Sequence, residues 1–495
     1  MKAGIQIAQP GLFLVRRPLL TLLILLGVLV LVGFDDGALL SQEIRGQAFT
    51  QLSVLGIAVF SVCGFCLLPA ISPASAWPRA MLSFGVLIAT TILVVFGQGG
   101  EGQSLSEAQI GLIFFAGLAI AAMVQISPMT GRAYPVAGLL AVPFTLVGVL
   151  MMTAWVIRTG AGVTAGLFLL LTLSVAFSIM ISMGFTARLV SMEVEHSIGS
   201  RLATALSFNN LIRDCIFGLL ALGLFFWFYP LPASGTTAMA GITVPLSVMA
   251  FTCIPALAVV ASAYALTGRA DFKFQGWQAA QKRAHTVFRQ ALKPAKPSVL
   301  SAALAIAGIL SLMAFVETPL TRWSTLASDA ALTGIFRFVF FYLLLFCLVA
   351  ITYASLRMGI VVALTLLLAD GMVIGLMNVI APSAGSVYVL LDLIPRFLVL
   401  MFLVSIARQW ADILHDRHIQ RYQITKTLTR SAAPAILGAL CSLLLFIMIG
   451  LLASEKADDM LYITQRLSLQ TTLALLILPC AMSVMAGLRT KLQVR

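Results

Sequence analysis

The stretch ISPMTGR, Ile126 to Arg132, separates two runs of almost unbroken apolar residues, 109–127 and 136–157. A proline, a glycine and an arginine in so short an interruption read as a turn. Pro128 lacks a backbone N–H, so a helix is expected to end there. Gly131 permits a tight reversal and close backbone approach. Arg132 can then bond helix-end carbonyls or an acid on a neighbouring element. Each flanking run is long enough to cross a bilayer as a helix, so the turn predicts a membrane hairpin.

The same alternation covers the whole chain. Of 495 residues, 60% are hydrophobic and 10% charged. Fourteen apolar runs stand out, at 18–34, 49–71, 80–98, 109–127, 136–157, 163–187, 213–230, 240–266, 298–316, 332–355, 359–381, 387–407, 434–453 and 466–487. Lipid offers backbone groups no water, so such runs span as helices. A membrane β-barrel would alternate apolar and polar residues, and these runs do not. The expected fold is an all-α polytopic membrane protein of about 14 transmembrane helices.

The net charge of +13 fits this topology better than a nucleic-acid partner. With a cytoplasmic N-terminus, 24 of the 31 Lys and Arg fall on the cytoplasmic side and five outside (Arg45, Arg158, Arg322, Lys456 and Arg466), while Arg337 and Arg396 lie within spans. Ten of the 18 acids fall outside. That is the positive-inside pattern, and the six Trp near span ends or in loops fit an aromatic belt. Both termini are expected in the cytoplasm, and the localisation is expected to be the bacterial inner membrane. The first run, which follows Arg16-Arg17, has no small-x-small cleavage site after it and reads as a helix. Cys63-Gly-Phe-Cys66 lies inside the second run and reads as small apolar helix residues.

The longest polar interruption, 268–297, is basic, with Trp277, Phe288 and Leu292 spaced for an interfacial helix. It suggests four parts: two additional N-terminal helices at 1–75, a six-helix bundle at 76–267, the linker at 268–297 and a second six-helix bundle at 298–495. An offset of 220 residues aligns the limits of the two sets of six. It also relates Arg188 to Arg408, Arg201 to Arg421 and Gly218 to Gly438. Two parallel repeats around a midplane site are a common transporter plan.

A charged side chain at the bilayer centre costs roughly 2.5–3.5 kcal/mol on insertion scales. Asp370, in the middle of the eleventh run, is therefore a candidate proton-coupling or substrate group. Asp392 and Arg396 stand four apart, the spacing of an ion pair on one helix face, with Pro395 expected to kink the helix between them. Asp214 follows Arg213 at the cytoplasmic end of the seventh run. The four His fall in cytoplasmic loops, and His415-Asp-Arg-His418 reads as a solvated basic stretch rather than a metal pair. No metal or other cofactor is expected. No phosphate-binding GxxxxGK[ST] loop is present, so the chain carries no ATPase of its own. Short outer loops without His argue against an enzyme acting on that face. They also leave no room for the large external domains of a resistance-nodulation pump.

Two motifs carry a family resemblance. Arg201-Leu-Ala-x-Ala-x-Ser207-x-x-Asn210-x-x-Arg213 and, 69 residues earlier, Ser127-Pro128-x-x-Gly131-Arg132 resemble cytoplasmic signatures of the major facilitator superfamily, in its fourteen-helix drug/proton antiporter branch. The resemblance implies alternating access by two six-helix halves, with these residues forming a cytoplasmic gate. The first motif departs from the family in lacking an acid, which makes Glu193 and Glu195 the first partners to test for Arg132. The additional helices stand at the N-terminus instead of between the halves. Glu317-Thr318 and Arg396 faintly resemble acidic first-helix and arginine fourth-helix motifs of the family's other half. The expected function is proton-coupled export of a small amphipathic compound, with protons, substrate and the lipid bilayer as partners. The alternatives are a flippase for a lipid-linked substrate or a non-transporting subunit whose N-terminal helices dock a membrane partner. If the ISPMTGR turn is a gate latch, Arg132→Glu abolishes transport in reconstituted vesicles while membrane insertion is unchanged.

Overall fold

The computed structural model describes residues 17–33, 47–98, 105–130, 145–146, 148–149, 165–194, 200–228, 246–250, 252–254, 257–258, 330–353, 355–380, 388–414 and 421–493. Among them the regular structure is helical throughout. The helices are α1 (Pro18–Gly33), α2 (Gln47–Phe65), the short α3 (Leu68–Ile71), α4 (Ala76–Gln98), α5 (Glu107–Thr130), α6 (Ala165–Val194), α7 (Ser200–Phe228), α8 (Ala330–Thr352), α9 (Leu356–Ile380), α10 (Tyr388–Leu414), α11 (Arg421–Leu452) and α12 (Ala457–Gln493). Eight helices among the described residues are long and apolar enough to cross a membrane, and two shorter apolar helices join them. This is the make-up of a multi-pass helical membrane protein. The expected ninth run, nearly all of the fifth, much of the eighth and the 268–297 linker lie outside the described residues, as do Gly131, Arg132, Glu317 and all four His.

Burial ranks the helices. In α6, 94% of the apolar window is buried, against 11% in α4. An all-round apolar helix belongs at the centre, and one with a single packed face belongs at the rim. Accordingly α6, α10 and α11 form the interior, and α4 leans on α5 with Phe84 and Phe96 exposed along its outer side. α11 touches α2, α5, α6, α10 and α12, while α12 also packs on α9 and α10. α8 joins α7 to α9. Without water to drive apolar association, membrane helices meet where small side chains permit close approach. On α6, Ser174, Ser178 and Ser182 recur every four residues and are buried. Ser442 of α11 donates to the Ala176 carbonyl at 3.3 Å. A Cβ at Gly438 would lie 3.3 Å from the Met180 backbone, and one at Gly218 only 2.4 Å from the Phe177 ring. The two glycines related by the 220-residue offset thus both lie against α6. At the N-terminal side, the Cys66 and Cys441 thiols meet at 3.5 Å and bring the end of α2 against α11.

Several local expectations change. Helix α5 continues through Pro128 to Thr130. A proline one turn from a helix end removes only one hydrogen bond, so it need not stop the helix. Residues 188–194 and 200–213, read as loop, belong to α6 and α7. Helical backbone runs on after the apolar stripe ends, because charged side chains at the membrane surface leave its hydrogen bonds intact. α12 begins at Ala457, well before the apolar run at 466, so Arg466 lies inside a helix and not in an outer loop.

Gly218→Ala forces its methyl onto a fully buried ring that is itself packed on Phe397. The expected loss is about 1–3 kcal/mol, read as a lower thermal midpoint of the full chain in detergent. Gly85→Ala meets nothing within 4 Å and is neutral or stabilising in the same assay.

Candidate functional site

Four helices bring a set of ionisable groups together inside the apolar interior. Asp370 of α9 has no exposed side-chain surface. Its Oδ2 accepts from the Tyr342 hydroxyl of α8 at 2.6 Å. Its Oδ1 accepts from Arg396 Nε of α10 at 2.9 Å, from Gln470 Nε2 of α12 at 3.2 Å and from Arg466 Nη2 of α12 at 3.4 Å. A buried carboxylate needs this many donors, since each unsatisfied lone pair and the charge itself are costly without water. Tyr462, Arg466 and Gln470 succeed one another at i, i+4 and i+8, so one stripe of α12 faces the acids.

Asp392 of α10 lies beside this group. It accepts from Arg466 Nη1 and from the Tyr462 hydroxyl, the latter at 2.5 Å, and Arg466 Nη1 also lies 3.1 Å from Tyr462 Oη. Arg466 therefore bridges both carboxylates while only 2% exposed, whereas the Asp392 side chain is 33% exposed. Two carboxylates and two guanidiniums balance in charge, and Asp392 is the most exposed of the four. This corrects the expected pairing of Asp392 with Arg396 along one helix: their ion pairs run to Arg466 on α12 and to Asp370 on α9. The i,i+4 spacing supplies proximity within a helix, but at this depth each charge takes a partner that also ties two helices together.

A second group lies at the other end of the same helices. Asp214 of α7 accepts from Arg408 Nη1 of α10 at 2.5 and 2.6 Å and from the Tyr353 hydroxyl at 2.9 Å, with Arg188 of α6 at 3.9 Å. Arg408 Nη2 reaches Asn210 Oδ1 at 2.5 Å, and Arg213 Nη2 approaches the same atom at 3.5 Å. The Arg213 and Arg408 guanidiniums lie 5.2 and 5.7 Å from the Tyr353 ring centre. Such cation–π contacts favour a planar, weakly hydrated cation. Asp214 thus joins α6, α7, α8 and α10. Arg188 and Arg408, related by the 220-residue offset, converge on this one acid.

Tyr342 of α8 and Tyr353, the residue just past its end, lie 11 residues apart, and Arg396 and Arg408 12 apart on α10. At about 1.5 Å per residue the two groups are separated by roughly 16–18 Å along both helices. Aromatic rings fill the space between: Phe341 lies on Phe225 at 4.7 Å, Phe225 on Phe397 at 6.2 Å and Phe397 on Phe177 at 5.3 Å. Phe217 lies 5.5 Å from Tyr353. Phe177, Phe217, Phe225 and Phe397 have no exposure. The two polar clasps are thus accompanied by a buried layer of aromatic rings.

The structure brings together the sequence-derived candidates Asp370, Asp392 and Arg396, and separately Asn210, Arg213 and Asp214. Ser127 and Ser207 are buried on α5 and α7. Pro128 and Arg201 belong to the same helices, and their side chains lie outside the described residues. Sequence reading missed Arg466, Tyr462, Gln470, Tyr342 and Tyr353, and left Arg408 as a repeat mark only. The available signal was the Tyr462–Arg466–Gln470 stripe, hidden because the apolar run was taken to start at Arg466. Positions 220 earlier than Tyr342, Asp370, Asp392, Arg396, Arg466 and Gln470 hold Ala122, Leu150, Thr172, Ala176, Leu246 and Ala250. The charged group belongs to one half of the chain.

No family model matches the chain, and no curated protein does. A solved structure of SecDF in its super-membrane-facing form is similar at a TM-score of 0.47 and 12% identity, covering 78% of this chain and 63% of that one. This chain therefore spans less than two thirds of the length of that structure.

Arg466→Leu leaves Asp392 without its buried counter-charge. The expected destabilisation is about 3–5 kcal/mol, seen as a large drop in thermal midpoint. Combining it with Asp392→Leu removes the orphan charge and restores most of the loss.

Proposed function

We propose that the chain is a secondary active transporter, exporting a small amphipathic compound across the bacterial inner membrane by proton-coupled alternating access. The observation that carries this reading is the four-charge group of Asp370, Asp392, Arg396 and Arg466 within apolar helices. At roughly 2.5–3.5 kcal/mol for each charged residue, its insertion penalty is on the order of 10 kcal/mol, the scale of a whole domain's net stability. Leucines of similar volume would hold the helices together without that penalty, so the charges are explained by work that only charges do. A carboxylate that exchanges a proton and re-pairs its arginine converts an ion gradient into helix movement.

The two clasps on α8 and α10 fit the reading, because opening one end while the other stays closed exposes the aromatic layer to one side at a time. Asp370, Asp392 and Arg396 form the coupling group, and Asn210, Arg213 and Asp214 belong to the cytoplasmic gate together with Ser127, Pro128, Gly131, Arg132 and Arg201. The major facilitator type rests on the two sequence motifs alone, and Glu317 is assigned to the cavity on the same ground.

The test is reconstitution of the full chain in liposomes with a panel of small amphipathic dyes. Movement driven by an imposed proton gradient, abolished by a protonophore and by Asp370→Asn, is the expected result. Gradient-independent movement of a labelled lipid would show a flippase instead, and no movement of any compound would favour a subunit of a larger complex.

A further inference from the structure

Arg466 is the one described side chain that holds both buried carboxylates, and it holds them unequally. Its Nη1 is on Asp392 and Tyr462, while its Nη2 stands 3.4 Å from Asp370, longer than an ordinary charged hydrogen bond. Its Nε is buried with no acceptor, and Gln470 Oε1 is buried with no donor. A guanidinium normally uses its fork fully when dry. Here it stands between two acids with capacity left toward Asp370.

The two acids differ in access. Asp370 is sealed and accepts from four side chains, two of them cationic. Asp392 is one-third exposed and accepts from two. The groups facing Asp392 are Tyr462 and Arg466 from α12, Asp370 from α9 beyond Arg466, and Arg396 on its own helix. The parts of α6, α7 and α11 at this level, 165–180, 216–228 and 442–452, contain no Asp, Glu, Lys, Arg, His or Tyr. Arg337 is the other cation on this half of α8, and its side chain lies outside the described residues.

We propose that Asp392 is the group that takes up the proton, and that Arg466 then passes from Asp392 to Asp370. This deepens the transport reading and rests on it for its purpose. A hydronium ion gives its proton to the Asp392 carboxylate and leaves as water. The acid becomes neutral, Arg466 stays a cation, and the group gains one positive charge. Its nearest remaining anion is Asp370, and closing from 3.4 Å to hydrogen-bond distance needs a shift of about half an ångström. The α10–α12 ion pair is thereby lost and the α9–α12 pair tightened. Proton release reverses both changes. Asp370 serves as the fixed post between Arg396 and Arg466.

The experiment is infrared difference spectroscopy of the full chain in lipid vesicles, comparing acidic with neutral buffer and reading the carbonyl stretch of newly protonated carboxylic acids. A component lost in Asp392→Asn and kept in Asp370→Asn is the expected result. Loss only in Asp370→Asn, or no change in either, overturns the proposal. Should Asp370→Asn fail to fold, Tyr342→Phe and Gln470→Leu each strip a donor from Asp370 and must leave the component in place; its loss in either counts against Asp392. In Arg466→Lys a single point charge cannot span both acids, so the component persists while gradient-driven dye movement is lost; undiminished movement excludes the hand-over. The spectrum needs no substrate. Proton-driven transport with the component assigned to Asp370 would overturn this step and leave the transport reading intact. An Asp392 component with no transport would do the opposite.

Discussion

An ionised carboxylate surrounded by apolar helices must be met by a cation, and that requirement organises the centre of this protein. Asp370 draws side chains from α8, α10 and α12 to α9, and Asp214 draws α6, α8 and α10 to α7. Most helix contacts elsewhere are apolar and non-directional. They fill space without setting rotation or depth. The two acids do set them, because an arginine displaced by a few ångströms leaves two charges uncompensated instead of one contact imperfect. Both groups are fastened to α8 and α10, so the position of that pair of helices is the variable on which the rest depends.

The material between the clasps explains why they can work as a pair. The Phe177, Phe225, Phe341 and Phe397 rings interlock among α6, α7, α8 and α10 beside Tyr342 and Arg396. Tightly packed rings tolerate few intermediate arrangements. Gly218 permits this packing by leaving the Phe177 ring room, which ties a single backbone position to the geometry of both clasps.

The 220-residue offset adds a contrast. Helix limits follow it, α6 with α10 and α7 with α11, but Gly218 and Gly438 both lie against α6 and so are not in matching contacts. The charges do not. Where one half places Asp370, Asp392, Arg396 and Arg466, the other places leucines, alanine and threonine at the matching positions. The Asp370 group thus belongs to the second half, while the Asp214 group draws on both halves.

Composition and hydropathy alone determined that the chain is a bundle of membrane helices, because lipid leaves only helices and closed barrels and the apolar runs lack a barrel's alternation. They also marked Asp370, Asp392, Arg396 and Asp214, since a charge within an apolar run is conspicuous in one dimension. They could not determine the partners. Arg466 was hidden at the edge of its run, Tyr342 and Tyr353 look like any aromatic in an apolar segment, and the Asp392–Arg396 spacing pointed to the wrong pairing. Side-chain partners 26 to 198 residues apart are set by helix rotation and depth, which depend on all the helices at once. Only the tertiary structure decided that one arginine stands between two acids, because a shared counter-ion is a property of three helices together and of none of them alone.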